Sequence, residues 1–137
     1  MEIQTAFYAL KPYDNLLYVE SYNSWDENVV RDFACHGKQI ALQNYKEKAW
    51  AILHDAREWQ LGTPAIESMI ANLLNTPLTN TITHHAYVAG KSEIQKWQVN
   101  KIFQNITTHE ARVFENIDDA EKWLLSYGYG YTKLPKS

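Results

Sequence analysis

The order of strand-like and helix-like segments is the feature that most constrains the fold of this chain of 137 residues. Two strand-like segments come first, and then long helical segments alternate with single strands, in the order β-β-α-β-α-β-α-β-α. Strands joined by long crossovers pair in parallel, whereas the first strand is joined by a short turn and should be antiparallel. The sequence therefore predicts one α/β domain, residues 1–137, with a mostly parallel five-stranded sheet and four helices.

Runs of branched and aromatic residues locate the strands. The predicted strands are Thr5–Leu10, Leu16–Tyr22, Ala49–Asp55, Ile82–Ala89 and Ala111–Phe114. Ala49–Asp55 is almost continuously apolar, which is typical of a central strand covered on both faces. A loop, Ala56–Gly62, is predicted to follow it.

Capping residues locate the helices. The predicted N-caps are Ser24, Thr63, Ser92 and Asn116, and Ser24 belongs to a capping box with Glu27. The first helix should end near Tyr45, and Pro77 should end the second. Gly37 lies in the apolar stripe of the first helix, where it should allow a close approach to the sheet.

Charge and cysteine content exclude several kinds of partner. The 13 Lys and Arg residues against 16 Asp and Glu give a net charge of −3, so the chain lacks the excess of basic residues that binds a nucleic-acid backbone. No apolar run approaches the ~20 residues that span a bilayer. Cys35 is the only cysteine, and Met1–Gln4 does not resemble the start of a signal peptide. We therefore expect a cytoplasmic protein.

One combination of side chains suggests catalysis. His54 and Asp55 end the central strand and Thr63 begins the next helix, so a threonine nucleophile is one interpretation. The other is a strand-end carboxylate that holds its loop, beside a capping threonine. The second is favoured, because a threonine hydroxyl needs strong activation, and we expect no enzyme.

Cofactor and metal motifs are not found in the sequence. His84 and His85 are adjacent on a strand, where neighbouring side chains point to opposite faces and do not share one ion. No glycine-rich phosphate loop is present. We expect no cofactor and no bound metal.

Aromatic residues make up 13% of the chain, with five Trp and nine Tyr. Trp59 is predicted to lie at the carboxyl edge of the parallel sheet, where ligands of open α/β sheets bind. A lid over the core is the alternative for Trp59. If all four helices covered one sheet face, the other would be free for dimerisation, a membrane or an apolar ligand. Alternatively, the N-terminal strand and the tail, residues 129–137, cover it; the tail is predicted to be loosely held unless its two tyrosines pack back.

Three segments carry a family resemblance when they are taken in order. They are Leu16–Asp26 with its Ser24-Trp25-Asp26, Trp50–Asp55 with its final aspartate, and Phe114-Glu115-Asn116 through Ala120 and Trp123-Leu124. Together they resemble the SpoIIAA-like proteins, the bacterial branch of the STAS domains of the anti-sigma-factor antagonist type, which are similar in fold to CRAL/TRIO lipid-carrying domains. The likeness spans about residues 5–127.

The resemblance implies a β-α superhelix preceded by one extra strand. In classical STAS antagonists, the loop after the central strand carries Asp-Ser-Ser/Thr-Gly, whose serine is phosphorylated by a partner kinase. The corresponding stretch here is Leu61-Gly62-Thr63-Pro64, where only Thr63 can take that role. The SpoIIAA-like branch has no established enzymatic activity, and its kinship implies small apolar ligands or membrane association.

Three hypotheses result. The first is a non-catalytic binding or regulatory module for a protein partner, a small apolar ligand or a membrane surface, with a homodimer left open. Its candidate residues are Asp55, Trp59, Leu61 and Thr63. The second is a phospho-switch with Thr63 as acceptor, and the third is a small hydrolase.

Overall fold

Six strands form one sheet in the computed structural model, which describes residues 2–75 and 81–134. They are β1 (Ile3–Gln4), β2 (Tyr8–Pro12), β3 (Leu16–Trp25), β4 (Trp50–Gly62), β5 (Ile82–Ala89) and β6 (Glu110–Phe114). The strands lie in the sheet in chain order, antiparallel from β1 to β3 and parallel from β3 to β6. The predicted α/β class, with antiparallel pairing at the N-terminus and a parallel remainder, is confirmed.

The sixth strand, which the sequence did not predict, is β1. Ile3 pairs with Leu10, and Gln4 pairs with Ala9. Two residues are too few to show the alternation that marks a strand in a sequence. This strand is identified only by its pairing with β2.

Four helices occur in the described residues: α1 (Glu27–Asn44), α2 (Pro64–Leu74), α3 (Glu93–Gln104) and α4 (Ile117–Leu125). The predicted caps of α3 and α4 are confirmed, since Ser92 accepts a hydrogen bond from the amide of Gln95 and Asn116 from that of Asp119. Tyr45 is the C-cap of α1, as expected. Pro77 lies outside the described residues.

The capping box predicted for α1 is wrong. The N-cap is Asp26, whose Oδ1 accepts a hydrogen bond of 3.0 Å from the amide of Val29. Ser24 instead belongs to β3, and its hydroxyl donates to Gln60 on β4. Pairing of β3 with β4 continues as far as Trp25 and Gly62, and this carries Ser24 into the sheet.

The loop predicted at Ala56–Gly62 is also wrong, because β4 runs for 13 residues to Gly62. The extension pairs with the end of β3 across two register irregularities. A buried glutamine supports it from the helix side: Gln95 Nε2 donates to the carbonyls of Ala56 at 2.8 Å and Trp59 at 2.6 Å. Polar residues of the extension therefore lie on strand backbone although their composition is typical of a loop.

Helices cover both faces of the sheet. Core residues of α1, α2 and α3 pack with Leu17, Val19, Trp50 and Ile52 in one cluster. Residues of α4 pack with Leu16, Ala51 and Leu53 in a second cluster. These strand residues alternate, so the two clusters lie on opposite faces. The idea that all four helices share one face is therefore wrong.

The C-terminal segment packs back beside α4, as in the second of its two alternatives. Tyr129 is buried, and the carbonyl of Thr132 accepts a hydrogen bond from the amide of Asp14. Asn15 Nδ2 donates to the carbonyl of Gly128 at 2.9 Å. Residues 135–137 lie outside the described part of the chain.

Candidate functional site

Trp59 lies in the core. Its side chain is only 6% exposed and packs edge-to-face on Trp25, with 6.4 Å between the ring centroids. Within the described residues, the indole Nε1 has no hydrogen-bond partner. Trp59 therefore lies in a strand and not in the predicted loop, and its ring forms part of the interior wall. Its indole N–H is a buried donor without an acceptor among the described residues.

Asp55 is occupied by a neighbouring cation. Arg57 donates to both of its carboxylate oxygens, from Nε at 2.9 Å and from Nη2 at 2.7 Å. Burial alone would raise the pKa of Asp55, but the hydrogen bonds and charge of Arg57 outweigh it and the pKa is lowered. Tyr18, which packs against the α4 cluster, also donates to Asp55 at 3.4 Å. Asp55 therefore lies on the face of the sheet opposite to Trp59.

Thr63 occupies the N-cap position of α2. Its side chain is exposed and makes no capping hydrogen bond, while its amide donates to the carbonyl of Trp25. Leu61 is part of β4, and its side chain lies outside what the structure describes. The side chains of Asp55, Trp59 and Thr63 thus do not converge on one place.

An apolar cavity of about 80 Å³ lies between the sheet and the helices α1 and α2, and we call it the α1–α2 cavity. Its wall includes Leu17, Val19, Trp25, Phe33, Gly37, Lys38, Ala41, Trp50, Ile52, His54, Ile70, Leu73 and His85. Lys38 is the one exposed residue of this set. The walls are almost wholly apolar, with the charge of Lys38 at the surface.

Gly37 opens this cavity on the helix side. A Cβ atom built on Gly37 would meet no heavy atom within 4 Å. The close approach to the sheet predicted for this glycine is therefore wrong: the missing side chain leaves space.

A second cavity of about 40 Å³ lies beneath α3, and we call it the α3 cavity. Its wall consists of Ser21, Trp25, His54, Trp59, Ile70, His85, Tyr87, Val99, Ile102 and Phe103. The two cavities share Trp25, His54, Ile70 and His85. They are therefore neighbouring compartments of one cleft, with two histidines in the dividing wall.

Three imidazole rings form a row across the sheet beneath the helices. The rings of His54 and His85 have centroids 6.1 Å apart and planes 7° apart, and those of His85 and His109 are 6.1 Å and 23° apart. Ser21 Oγ lies 2.8 Å from Nε2 of His54. We call this set the histidine row.

Burial keeps the histidine row uncharged. It lowers the pKa of His54 to about 4 and that of His109 to about 4, and it lowers the pKa of His85 well below the usual value. His54 retains accessible surface because its ring faces the cavities, although protein encloses it. At neutral pH each ring therefore has one nitrogen that donates and one that accepts.

Unsatisfied polar atoms concentrate around this cleft. In the described part of the chain, the buried side-chain atoms without a hydrogen-bond partner are Trp59 Nε1, both ring nitrogens of His85, and His109 Nε2. Each such atom costs on the order of 1–3 kcal/mol if nothing satisfies it. Two of the three residues, Trp59 and His85, line the α3 cavity.

Two other depressions are more open and more polar. One, of about 380 Å³, lies between α4 and the C-terminal segment and includes Asp118, Glu121 and Lys122. The other, of about 130 Å³, includes Glu20, Asp55 and Arg57. Their charged side chains are exposed to solvent or paired, so neither has the almost wholly apolar wall that favours a small apolar ligand.

Residues 2–75 and 81–134 contain no group of three or more His, Cys, Asp or Glu side chains placed to hold a metal ion. His84 and His85 do point to opposite faces: His84 stacks on Tyr127 beside α4, and His85 packs on Phe103 of α3. Within the same residues, no helix has the length and apolarity to cross a membrane.

Sequence reasoning considered His54 for catalysis and His85 for metal binding, and placed neither in an interior cleft. Strand alternation places His54 and His85 on the same face as Ile52 and Tyr87, and that pattern was the available signal. Gly37 was recognised in the apolar stripe, but whether a glycine allows a close contact or leaves a cavity depends on the packing of α1 against α2.

The sheet has six strands in chain order, with three helices on one face and one on the other. The protein is therefore an α/β protein of SpoIIAA-like fold, with an interior cleft. A similar solved structure is that of an uncharacterized protein of the DUF3478 family with a SpoIIAA-like fold from Shewanella loihica PV-4. The two match with a TM-score of 0.61 and 17% identity over 90% of this chain and 98% of that one. No family model matches the sequence, and no curated protein is similar to it. The resemblance to SpoIIAA-like proteins is thus confirmed as a likeness of fold.

Proposed function

We propose that this protein is a non-catalytic binding module that holds a small apolar ligand in the α1–α2 cavity. The observation that carries the proposal is the cavity itself: about 80 Å³ of space between the sheet and two helices, lined almost wholly by apolar side chains. Native cores contain few voids larger than a water molecule, so a retained apolar space favours a ligand.

The size of the cavity limits the ligand. An apolar cavity of about 150 Å³ engineered into another protein binds benzene. A space of about 80 Å³ therefore suits one small ring or a short chain, with slight movement of α1 or α2. A two-chain lipid is too large.

The pairing and protonation of the polar side chains near the cavity support a non-catalytic role. Ser21 and His54 are paired at 2.8 Å, as two members of a serine-histidine-aspartate arrangement would be. However, Asp55 is bound by Arg57 on the other face, and a histidine whose pKa is about 4 accepts protons poorly at neutral pH. Ser21 and His54 therefore suit hydrogen bonding to a ligand better than catalysis.

The test uses toluene as probe and isoleucine methyl groups as reporters. The methyl resonances of Ile52 and Ile70, which line the cavity, should shift with saturation, while that of the exposed Ile94 should not. Gly37→Leu should fill the cavity and weaken toluene binding at least tenfold. The matched control Gly37→Ala should bind nearly as wild type. Wild-type protein without saturable shifts, or Gly37→Leu binding unchanged, would contradict the proposal.

A phospho-switch at Thr63 is a second candidate, favoured by one observation. The Thr63 side chain is exposed at the N-terminus of α2 without a capping bond, and negative charge is well accommodated there. Mass spectrometry of protein isolated from its own host should then find phosphate on Thr63. If Thr63→Ala and Thr63→Asp both behave as wild type in partner pull-downs, the switch is excluded.

A further inference from the structure

We infer that the ligand carries one uncharged hydroxyl group, which reaches the α3 cavity and hydrogen-bonds to His85 and Trp59. This inference rests on the proposed function, because it names the chemical class of the molecule that enters the same cleft. A phenol, with an apolar ring and one hydroxyl, is the simplest member of that class.

His85 supplies the first argument. Its side chain is 3% exposed, and in the described residues neither ring nitrogen has a partner. The neighbouring rings are those of His54, His109 and Phe103, none of which bonds to it. The ring forms part of the wall of both cavities, so a group that satisfies His85 has to arrive through the cleft.

Trp59 supplies the second argument. Its Nε1 is a donor without a partner in the described chain, and its ring lines the same α3 cavity as His85. An indole N–H requires an acceptor, whereas a neutral imidazole offers a donor nitrogen and an acceptor nitrogen. A hydroxyl accepts and donates at once, so it matches both side chains, while a purely apolar ligand leaves both unsatisfied.

The charge of the site gives the third argument. The wall of the α3 cavity contains no Lys, Arg, Asp or Glu among the described residues, and burial keeps its two histidines neutral. An ionised carboxylate or amine would be desolvated there without a counter-ion, which is costly. The site therefore selects a neutral polar group.

The experiment compares phenol with toluene, which has nearly the same shape, and with benzoate. Phenol loses more hydration than toluene on entering an apolar cavity, so equal or tighter binding of phenol requires hydrogen bonds inside. We expect wild-type protein to bind phenol at least as tightly as toluene and to reject benzoate. In His85→Leu, phenol should weaken at least tenfold relative to toluene.

Trp59→Phe gives an independent reading, because it removes the donor and keeps an aromatic wall; phenol should weaken severalfold and toluene should not. Wild-type protein that binds toluene but excludes phenol, or that prefers benzoate, overturns the inference and leaves the proposed function intact. An unchanged phenol-to-toluene ratio in both variants also overturns it. If neither toluene nor phenol binds, the proposed function itself fails.

Discussion

The imidazole of His54 lies parallel to that of His85, with 6.1 Å between the ring centroids, in the interior between the sheet and three helices. The two side chains come from adjacent parallel strands, β4 and β5. Two cationic rings so placed would repel each other in a medium that already disfavours charge. The pair is therefore stable as neutral groups, and this sets how the protein responds to acid.

Acid should destabilise the protein between about pH 6.5 and pH 4. The pKa of His54 is lowered to about 4, so as the pH falls from 6.5 the unfolded chain takes up a proton that the folded chain does not. The free energy of unfolding should fall by up to about 1.4 kcal/mol per pH unit from His54, with further loss from His85 and a smaller one from the partly exposed His109. Urea unfolding at pH 7, 6 and 5 measures this.

In His54→Gln, the free energy of unfolding should depend less steeply on pH, because one fewer proton is taken up on unfolding. Asp55 does not confound the result, because its lowered pKa acts only below its ordinary value of 3.8. A free energy of unfolding that does not change between pH 7 and pH 5 would show that the histidine row is not held neutral.

Gly37→Ala should stabilise the protein by about 0.5–1 kcal/mol, because alanine suits a helix better and the new methyl group meets nothing within 4 Å. Gly62→Ala is the matched opposite. A Cβ atom on Gly62 would overlap Cδ1 and Cγ1 of the fully buried Ile66, so about 1–3 kcal/mol should be lost. Chemical denaturation of both variants tests the pair, and equal effects would rule out the cavity beside Gly37.

Asp26→Ala should lower the free energy of unfolding by about 1 kcal/mol, since it removes the side chain that caps α1. Ser24→Ala is the control and should cost less than about 0.5 kcal/mol, because it removes an exposed hydroxyl whose hydrogen bond goes to the side chain of Gln60. Thermal unfolding of the two variants distinguishes the residues. The reverse order would restore the capping box to Ser24.

Gln95→Leu should cost about 2–4 kcal/mol, since it leaves the carbonyls of Ala56 and Trp59 and the amide of Gly90 without their buried partner. Gln104→Leu, on the exposed part of the same helix, should change stability by less than about 0.5 kcal/mol. Urea midpoints of the two variants give the comparison. Similar midpoints would mean that the extension of β4 holds without its glutamine.

Much of the fold was predictable because it depends on local signals. Periodicity located the principal strands, and Ser92 and Asn116 marked their helices by a side chain that bonds within the same turn. The extension of β4 could not be found this way, since its regular backbone depends on the distant side chain of Gln95. Sheet pairing likewise overrode the local preference of Ser24.

The candidate site was less predictable than the fold. Trp59 was singled out as a residue of a loop, whereas its position as an interior wall follows from where Trp25 and α3 lie. His85 was considered only as half of a metal pair with His84. Its actual surroundings combine residues from β4, β5 and α3, and no short stretch of sequence contains that combination.

The chain-ordered sheet also has a consequence for how the protein is made. Because each strand pairs with the one before it, every new strand adds to an open edge, and no strand has to be inserted between two that are already joined. Folding can therefore follow synthesis from the N-terminus, although each parallel strand joins the sheet only after the helix before it has been made. Two hydrogen bonds of the early turn form late: Asp14 and Asn15 bond to Thr132 and Gly128, which are made only after α4.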